Sequence, residues 1–182
     1  IFRGLKPVNW CFDCGSALAE AEVEYHDKTD IAVDVGFRFA ENDKLAKAFG
    51  LPKLPHDVGY LVIWTTTPWT LPANVAAAVS PDAEYGLRNG DWMVVSHHGE
   101  GDFDDVKPGR ELVGWRYTGP FDDLGPGATV EHRVVAWDEV STEEGTGIVH
   151  IAPGCGTDDF GLGQAEGLAV LMPVDEAGKF FP

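Results

Sequence analysis

The apolar run Tyr60-Leu61-Val62-Ile63-Trp64 ends in three consecutive threonines, Thr65, Thr66 and Thr67, and then meets Pro68. Strand-forming apolar residues in an unbroken run predict a buried β-strand. Pro68 bars its ladder from continuing, because proline has no N–H to donate. The hydroxyls therefore stand at a strand end, where side-chain and backbone donors can recognise a small molecule. The same residues would also suit a β-bulge or an edge turn with solvated threonines.

Alternation of apolar and polar residues predicts further strands at Ala21–Tyr25, Ile31–Phe39, Trp92–Ser96, His132–Trp137 and Gly147–Ile151. The stretch Val75-Ala76-Ala77-Ala78-Val79 mixes helix-favouring alanine with strand-favouring valine; its short length between Pro72 and Pro81 favours a strand. Two helices are expected, over Asn42–Phe49 with Gly50 at its end, and over Asp158–Glu166 with Thr157 as N-cap. Twenty-two glycines and twelve prolines punctuate the strands, as in a barrel or a sandwich, which periodicity does not separate. Glu100–Asp105, flanked by glycine, reads as a polar loop.

The charge balance limits the partners. Thirty acidic against thirteen basic residues give a formal net charge of −17, with no Lys/Arg cluster of the kind that phosphate-driven affinity needs. Any RNA partner would therefore present a short single-stranded end, delivered by other domains at high effective concentration. No apolar run reaches the roughly 20 residues of a membrane helix. The chain starts at Ile1 without a signal-peptide pattern and reads as one domain cut from a larger soluble protein. Three cysteines make no disulfide framework, which fits a reducing cytoplasm.

A second segment gives the threonines a context: Gly145-Thr146-Gly147-Ile148-Val149-His150-Ile151-Ala152-Pro153, then Gly154-Cys155-Gly156-Thr157-Asp158-Asp159-Phe160. Together with Trp64-Thr65-Thr66-Thr67-Pro68-Trp69-Thr70-Leu71-Pro72-Ala73-Asn74, it resembles the editing domain inserted in the catalytic domain of the isoleucine, valine and leucine tRNA synthetases. Thr67 and Trp69 point to the isoleucine branch. Gly4–Trp10 and Ser141–Glu144 agree, and the resemblance runs from about Gly4 to Pro173, weakest between Arg38 and Val58.

The resemblance implies a mainly β fold with peripheral helices around a closed β-barrel core. It implies a single editing domain over 1–182, with 1–20 and 174–182 as connecting segments to the catalytic body. The implied activity is hydrolysis of valine mischarged on isoleucine tRNA, and of valyl-adenylate, by a second sieve that excludes isoleucine. The implied partners are the acceptor end of that tRNA, valine or valyl-adenylate, and the other domains of the same synthetase.

Site roles follow residue by residue. Asp159 would hold the substrate ammonium; residue chemistry alone would equally let Asp158 and Asp159 complement a helix dipole. Asp158 would face elsewhere and cap the helix. His150 would stand against the substrate side chain, leaving room for valine only, whereas a lone histidine on an apolar strand is more often a packed core residue. Thr65, Thr66 and Thr67 would bind and orient the ester and a water, since threonine without an adjacent base is a poor nucleophile. Trp69 and Thr70 would wall the pocket. Asn74 matches a pocket position, with a turn or strand-edge amide as the plainer reading.

The remaining chemistry-bearing residues are weaker signals. Cys11 and Cys14 form a C-x-x-C, half of a zinc site, with no second pair in the chain. No cofactor is expected for this domain, and a structural zinc only in the full enzyme, completed by cysteines outside this sequence. Cys155 reads as a small turn residue; a cysteine hydrolase with His150 as base is a distant rival. A metal-dependent hydrolase is disfavoured because only His97 and His98 are close, and adjacent strand residues point to opposite faces. A non-catalytic clamp on the tRNA acceptor end is the alternative from another class, and the acidic balance argues against it.

Overall fold

The computed structural model describes residues 4–96, 103, 105–124 and 129–181. In chain order it contains β1 (Asn9–Cys11), β2 (Ser16–Leu18), β3 (Val33–Phe39), α1 (Asn42–Ala48), β4 (Tyr60–Thr65), β5 (Ala76–Val79) and β6 (Glu84–Arg88). Then follow β7 (Trp92–Val95), β8 (Val106–Pro108), β9 (Tyr117–Thr118), β10 (Arg133–Ala136), β11 (Ile148–Ile151) and α2 (Thr157–Glu166). The fold is mainly β, as expected. His97, His98 and most of the Glu100–Asp105 loop lie outside the described residues.

Strand β4 forms where the apolar run predicts it and stops at Thr65; the chain then turns into a 3-10 helix over Pro68–Ala73, with Pro68 in its first turn. Proline is tolerated there because that N–H would have no intrahelical acceptor. Strand β4 pairs antiparallel with β3 along six residues, from Val33↔Thr65 to Arg38↔Tyr60, and parallel with β7 at only two. The full order of that sheet is β8-β6-β7-β4-β3-β9.

Strand β5 is the centre of a second sheet, parallel to β10 and antiparallel to β11. All four of its residues are fully buried. Ala77 and Val79 face the larger core with Phe37, Leu61, Ile63 and Met93, while Ala76 and Ala78 face a second core with Val135, Ile151 and Leu171. Alanine's small side chain lets both layers approach the same strand. Ambiguity in this stretch is thus resolved by burial on both faces, which a short apolar strand tolerates and an amphipathic helix does not.

The closed barrel is not formed as one continuous ladder. Both sheets are open, and they meet at two short backbone seams. On one side the Arg116↔Arg133 bridge is joined by the Val134 N–H donating to the Trp115 carbonyl at 2.8 Å and the Gly114 N–H to the Val134 carbonyl at 2.9 Å. On the other the Val95 N–H donates to the Thr146 carbonyl at 2.8 Å. Strand β9 is only two residues long, too short to carry a regular seam. At the other seam Gly145 and Gly147 have φ of +61° and +69°, and a Cβ on Gly147 would lie 2.6 Å from the Val95 Cβ. Only glycine permits that approach.

Two local expectations are corrected. Ala21–Tyr25 is not a strand: Glu20–Glu22 form a 3-10 turn held by the Glu22 carboxylate on the Ala19 N–H at 2.7 Å. Without a partner strand its alternation buries nothing, and Tyr25 is 84% exposed. Helix α2 begins at Thr157, with Gly156 as N-cap, so neither Thr157 nor Asp158 caps it by a side-chain bond. Helix α1 starts at Asn42 as expected, and the Asn42 amide oxygen accepts the Gly59 N–H at 2.7 Å, tying the helix start to the approach to β4.

The two ends of the chain come together. Strands β1 and β2 form a hairpin, and the Trp10 indole N–H donates to the Glu176 carbonyl at 2.8 Å. Gly178 sits against the Phe12 ring.

Candidate active site

Strand β11 carries His150, paired opposite Ala77 of β5, and this register buries the imidazole to 6% exposure. Its Nε2 lies 2.8 Å from the Thr70 hydroxyl, in the 3-10 helix that follows Pro68. The Thr70 hydroxyl itself donates to the Thr67 carbonyl at 2.8 Å. Upstream, the Thr67 N–H donates to the Thr65 hydroxyl at 3.0 Å, and the two side-chain oxygens are 3.3 Å apart. One hydrogen-bonded line thus runs from Thr65 through Thr67 and Thr70 to His150. Segments 80 residues apart are joined by it.

Thr65 is buried, whereas Thr66 and Thr67 are exposed. The threonine cluster therefore has a buried base, and Thr66 and Thr67 present surface to solvent, Thr67 while still hydrogen-bonded to Thr65 and Thr70. Trp69 is also exposed, and the Lys28 ammonium sits 5.8 Å from its ring centroid, within cation–π range.

Asp159 stands in the first turn of α2, and its Oδ2 accepts the N–H of Ala152 at 2.7 Å, two residues beyond His150. That bond ties the start of the helix to the end of β11. Burial raises the Asp159 pKa; the Ala152 N–H works against this, and neighbouring Asp158 adds to it. A carboxylate destabilised by desolvation gains from a cation that neutralises it. Asp158, by contrast, is exposed.

His150 is held neutral. Burial lowers its pKa from 6.5 to about 4, and its Nδ1 is buried with no hydrogen-bond partner among the described residues. A neutral, tightly packed ring suits a wall better than a base.

Cys155 makes a poor nucleophile here, because partial desolvation and then the Asp159 charge push its thiol pKa up. The Cys155 N–H is spent on the Ala152 carbonyl at 2.8 Å. A cleft of about 420 Å³ lies beside Cys155 and Thr157, lined also by Lys6, Asn9 and Glu20. None of Thr65, Thr66, Thr67, Thr70, Trp69 or His150 lines it.

Asn74 is placed behind this line rather than on it. Its Nδ2 donates to the Ala76 carbonyl at 2.9 Å, and its Oδ1 accepts the Tyr117 hydroxyl at 2.7 Å. With 2% exposure, both ends of the amide are engaged within the protein. Tyr117 was not singled out in the sequence, nor was the pair of buried His132 and half-buried Asp122, joined at 2.7 Å beside the Tyr117 ring. Partners 43 and 10 residues apart leave no local signal; a tyrosine in a polar-flanked two-residue strand was the only cue for Tyr117.

Cys11 and Cys14 form a tight turn in which the Cys14 N–H donates to the Cys11 sulfur at 3.3 Å and Gly15 takes φ +60°. The Cys14 N–H lowers the Cys11 thiol pKa. Two thiols amount to at most half of the four ligands of a tetrahedral zinc shell. Among the described residues no group of three or more His, Cys, Asp or Glu could hold a metal ion, so they do not close the site.

The chain as a whole is similar to known proteins. Isoleucine--tRNA ligase of Janthinobacterium sp. (strain Marseille) is 47% identical over 199 residues, covering 99% of this chain and 21% of that protein. The chain thus spans about a fifth of the length of the curated relatives it matches. Among solved structures, the editing domain of P. knowlesi cytosolic leucyl-tRNA synthetase superposes with a TM-score of 0.55 at 12% identity, covering 71% of this chain and 59% of that one. A structure described as GlLeuRS-CP1 gives 0.54 at 20% identity, covering 74% and 59%. The fold is therefore that of these editing domains. The profile of the class I tRNA synthetases for isoleucine, leucine, methionine and valine matches residues 1–162, and the chain belongs to that family.

Proposed function

We propose that this chain is a hydrolytic editing domain that removes valine from isoleucine tRNA, and acts on valyl-adenylate, through a pocket too small for isoleucine. The observation that carries the reading is the Thr70–His150 hydrogen bond, which joins the threonine motif to the strand that leads into Asp159. The likeness to isoleucine--tRNA ligases supports the isoleucine branch.

Isoleucine and valine differ by one methylene, whose known discrimination in an apolar pocket is about 1–3 kcal/mol. A second site sized for the smaller side chain selects in the opposite sense, because close-packed walls resist overlap. Asp159 binds the ammonium, and His150 and Trp69 bound the side chain. Thr66 and Thr67 orient the ester carbonyl and a water, with Thr65 as their fixed support. Water oxygen attacks the carbonyl carbon and the ester C–O bond breaks; one water proton goes to the departing ribose oxygen, and the other is released to solvent as the amino acid leaves as its carboxylate. Positioning of an already activated ester supplies much of the acceleration. Asn74 holds the wall from behind through Tyr117.

The paired chain ends suit a domain whose connecting segments, 1–20 and 174–182, leave side by side toward a catalytic body. The closed-barrel reading takes the two sheets as opposite walls, stitched at the Arg116 and Val95 contacts. The Cys11–Cys14 turn gives half of a structural zinc site whose other ligands come from elsewhere in the full enzyme. No described helix is long and apolar enough to cross a membrane. A cytoplasmic synthetase is the setting this reading assigns.

Release of labelled valine from isoleucine tRNA tests the reading. Valyl ester should disappear well above the uncatalysed rate while isoleucyl ester survives. Tight tRNA binding with valyl ester decaying only at the uncatalysed rate would support the clamp instead.

A further inference from the structure

The hydrogen-bond arithmetic around Thr70 constrains which nitrogen of His150 carries its proton. A threonine hydroxyl has one hydrogen to give. At 2.8 Å the Thr67 carbonyl can only accept, so the Thr70 hydrogen is spent there. The Thr70 oxygen must then accept from His150 Nε2, also at 2.8 Å. In the opposite arrangement two bare oxygens would face each other at 2.8 Å, and a buried Nδ1–H would lack an acceptor. Nδ1 has no partner among the described residues, and a bare lone pair on a nitrogen is easier to bury than an unmet N–H donor.

We propose that Thr70 is the positioning residue of the sieve: it fixes His150 as the Nε2–H tautomer in one ring orientation, and so sets the boundary that separates valine from isoleucine. The inference rests on the editing reading for its consequence, but not for its geometry. The hydroxyl is anchored at both ends, to the backbone of the threonine motif and to the imidazole. Nothing else in the described residues bonds the ring, so losing the hydroxyl leaves only packing to hold it. A wall that swings between rotamers excludes poorly, because exclusion depends on a surface that cannot yield.

Thr70→Val keeps the shape and removes the hydroxyl; Thr70→Ser keeps the hydroxyl and trims a methyl. In histidine-selective ¹⁵N NMR of this chain near neutral pH, wild type should show His150 Nε2 protonated and Nδ1 bare. T70S should show the same pattern, and T70V should show averaging between tautomers. In deacylation assays T70V should lose at least fivefold of the valyl-over-isoleucyl preference, with T70S restoring it. A wild-type Nδ1–H, or an unchanged tautomer in T70V, overturns the positioning role. A changed tautomer with unchanged preference severs the ring from the sieve and overturns the proposal too. Absence of deacylation by wild type, with the expected NMR pattern intact, would instead count against the editing reading.

Discussion

The Asp159 carboxylate accepts the Ala152 N–H at 2.7 Å, so the residue expected to grip the substrate also fastens α2 to the end of β11. Oδ2 holds the fold, and on the editing reading the same carboxylate must also meet the substrate ammonium. Truncation therefore confounds two roles. Asp159→Ala should strand the Ala152 N–H, which is buried, at a cost of about 1–3 kcal/mol. Asp159→Asn keeps an acceptor for that N–H and removes the charge. We expect D159N to melt close to wild type yet lose free-valine binding in calorimetry, whereas D159A loses both stability and binding. Retained valine affinity in D159N would remove Asp159 from the ammonium site.

His150 makes stability depend on pH with a definite sign. Its folded pKa of about 4 lies below the ordinary 6.5, so the unfolded state binds more protons between those values. Stability should therefore fall as pH drops from about 6.5 to about 4, by up to about 3 kcal/mol. Asp159 works the other way, because its raised pKa favours the folded state at lower pH. Comparing wild type with His150→Gln, which keeps a side-chain N–H for Thr70, isolates the histidine contribution in urea titrations. The variant should lose the downward slope; identical slopes would mean that the imidazole is not buried neutral.

Asn74 and Tyr117 should behave as one structural unit. Removing the amide in N74A leaves the Tyr117 hydroxyl and the Ala76 carbonyl bare, at about 1–3 kcal/mol for each. Y117F should cost less, and the double variant should be less destabilised than the sum of the singles. Deacylation per folded molecule should survive in all three. Loss of activity in a well-folded N74A would return this amide to the substrate pocket.

The cysteine turn should be dispensable for chemistry. C11S/C14S should leave deacylation unchanged, and elemental analysis of this chain should find well under one zinc per molecule, since two thiols do not complete four ligands. Stoichiometric zinc would show that further ligands converge on the turn.

How far the sequence reached is clear from particular residues. Strand β4 and its stop were legible because an apolar run meets a proline. Strand β5 was legible because prolines on both sides leave no room for a helix. Both motifs were legible as strings. Missing were the partners: nothing in Thr70 announces His150, and nothing in Asp159 announces Ala152, because those bonds close only once β11 pairs with β5. Ala21–Tyr25 misled for the converse reason, since alternation is a strand signal only when another strand lies beside it. Strand β6, Glu84–Arg88, escaped notice because Gly86 breaks its pattern, yet its Tyr85 donates to the Gly147 carbonyl at 2.7 Å and is fully buried. Helix caps failed at the level of single residues, where Gly156 and not Thr157 marks the boundary.

Calorimetric titration of the chain with valine and, separately, isoleucine at neutral pH tests the central claim most directly. A carboxylate beside walls set by His150 should bind valine measurably and isoleucine at least tenfold more weakly, a gap of about 1.4 kcal/mol or more. Equal affinity for the two amino acids would contradict a pocket that sorts them by size.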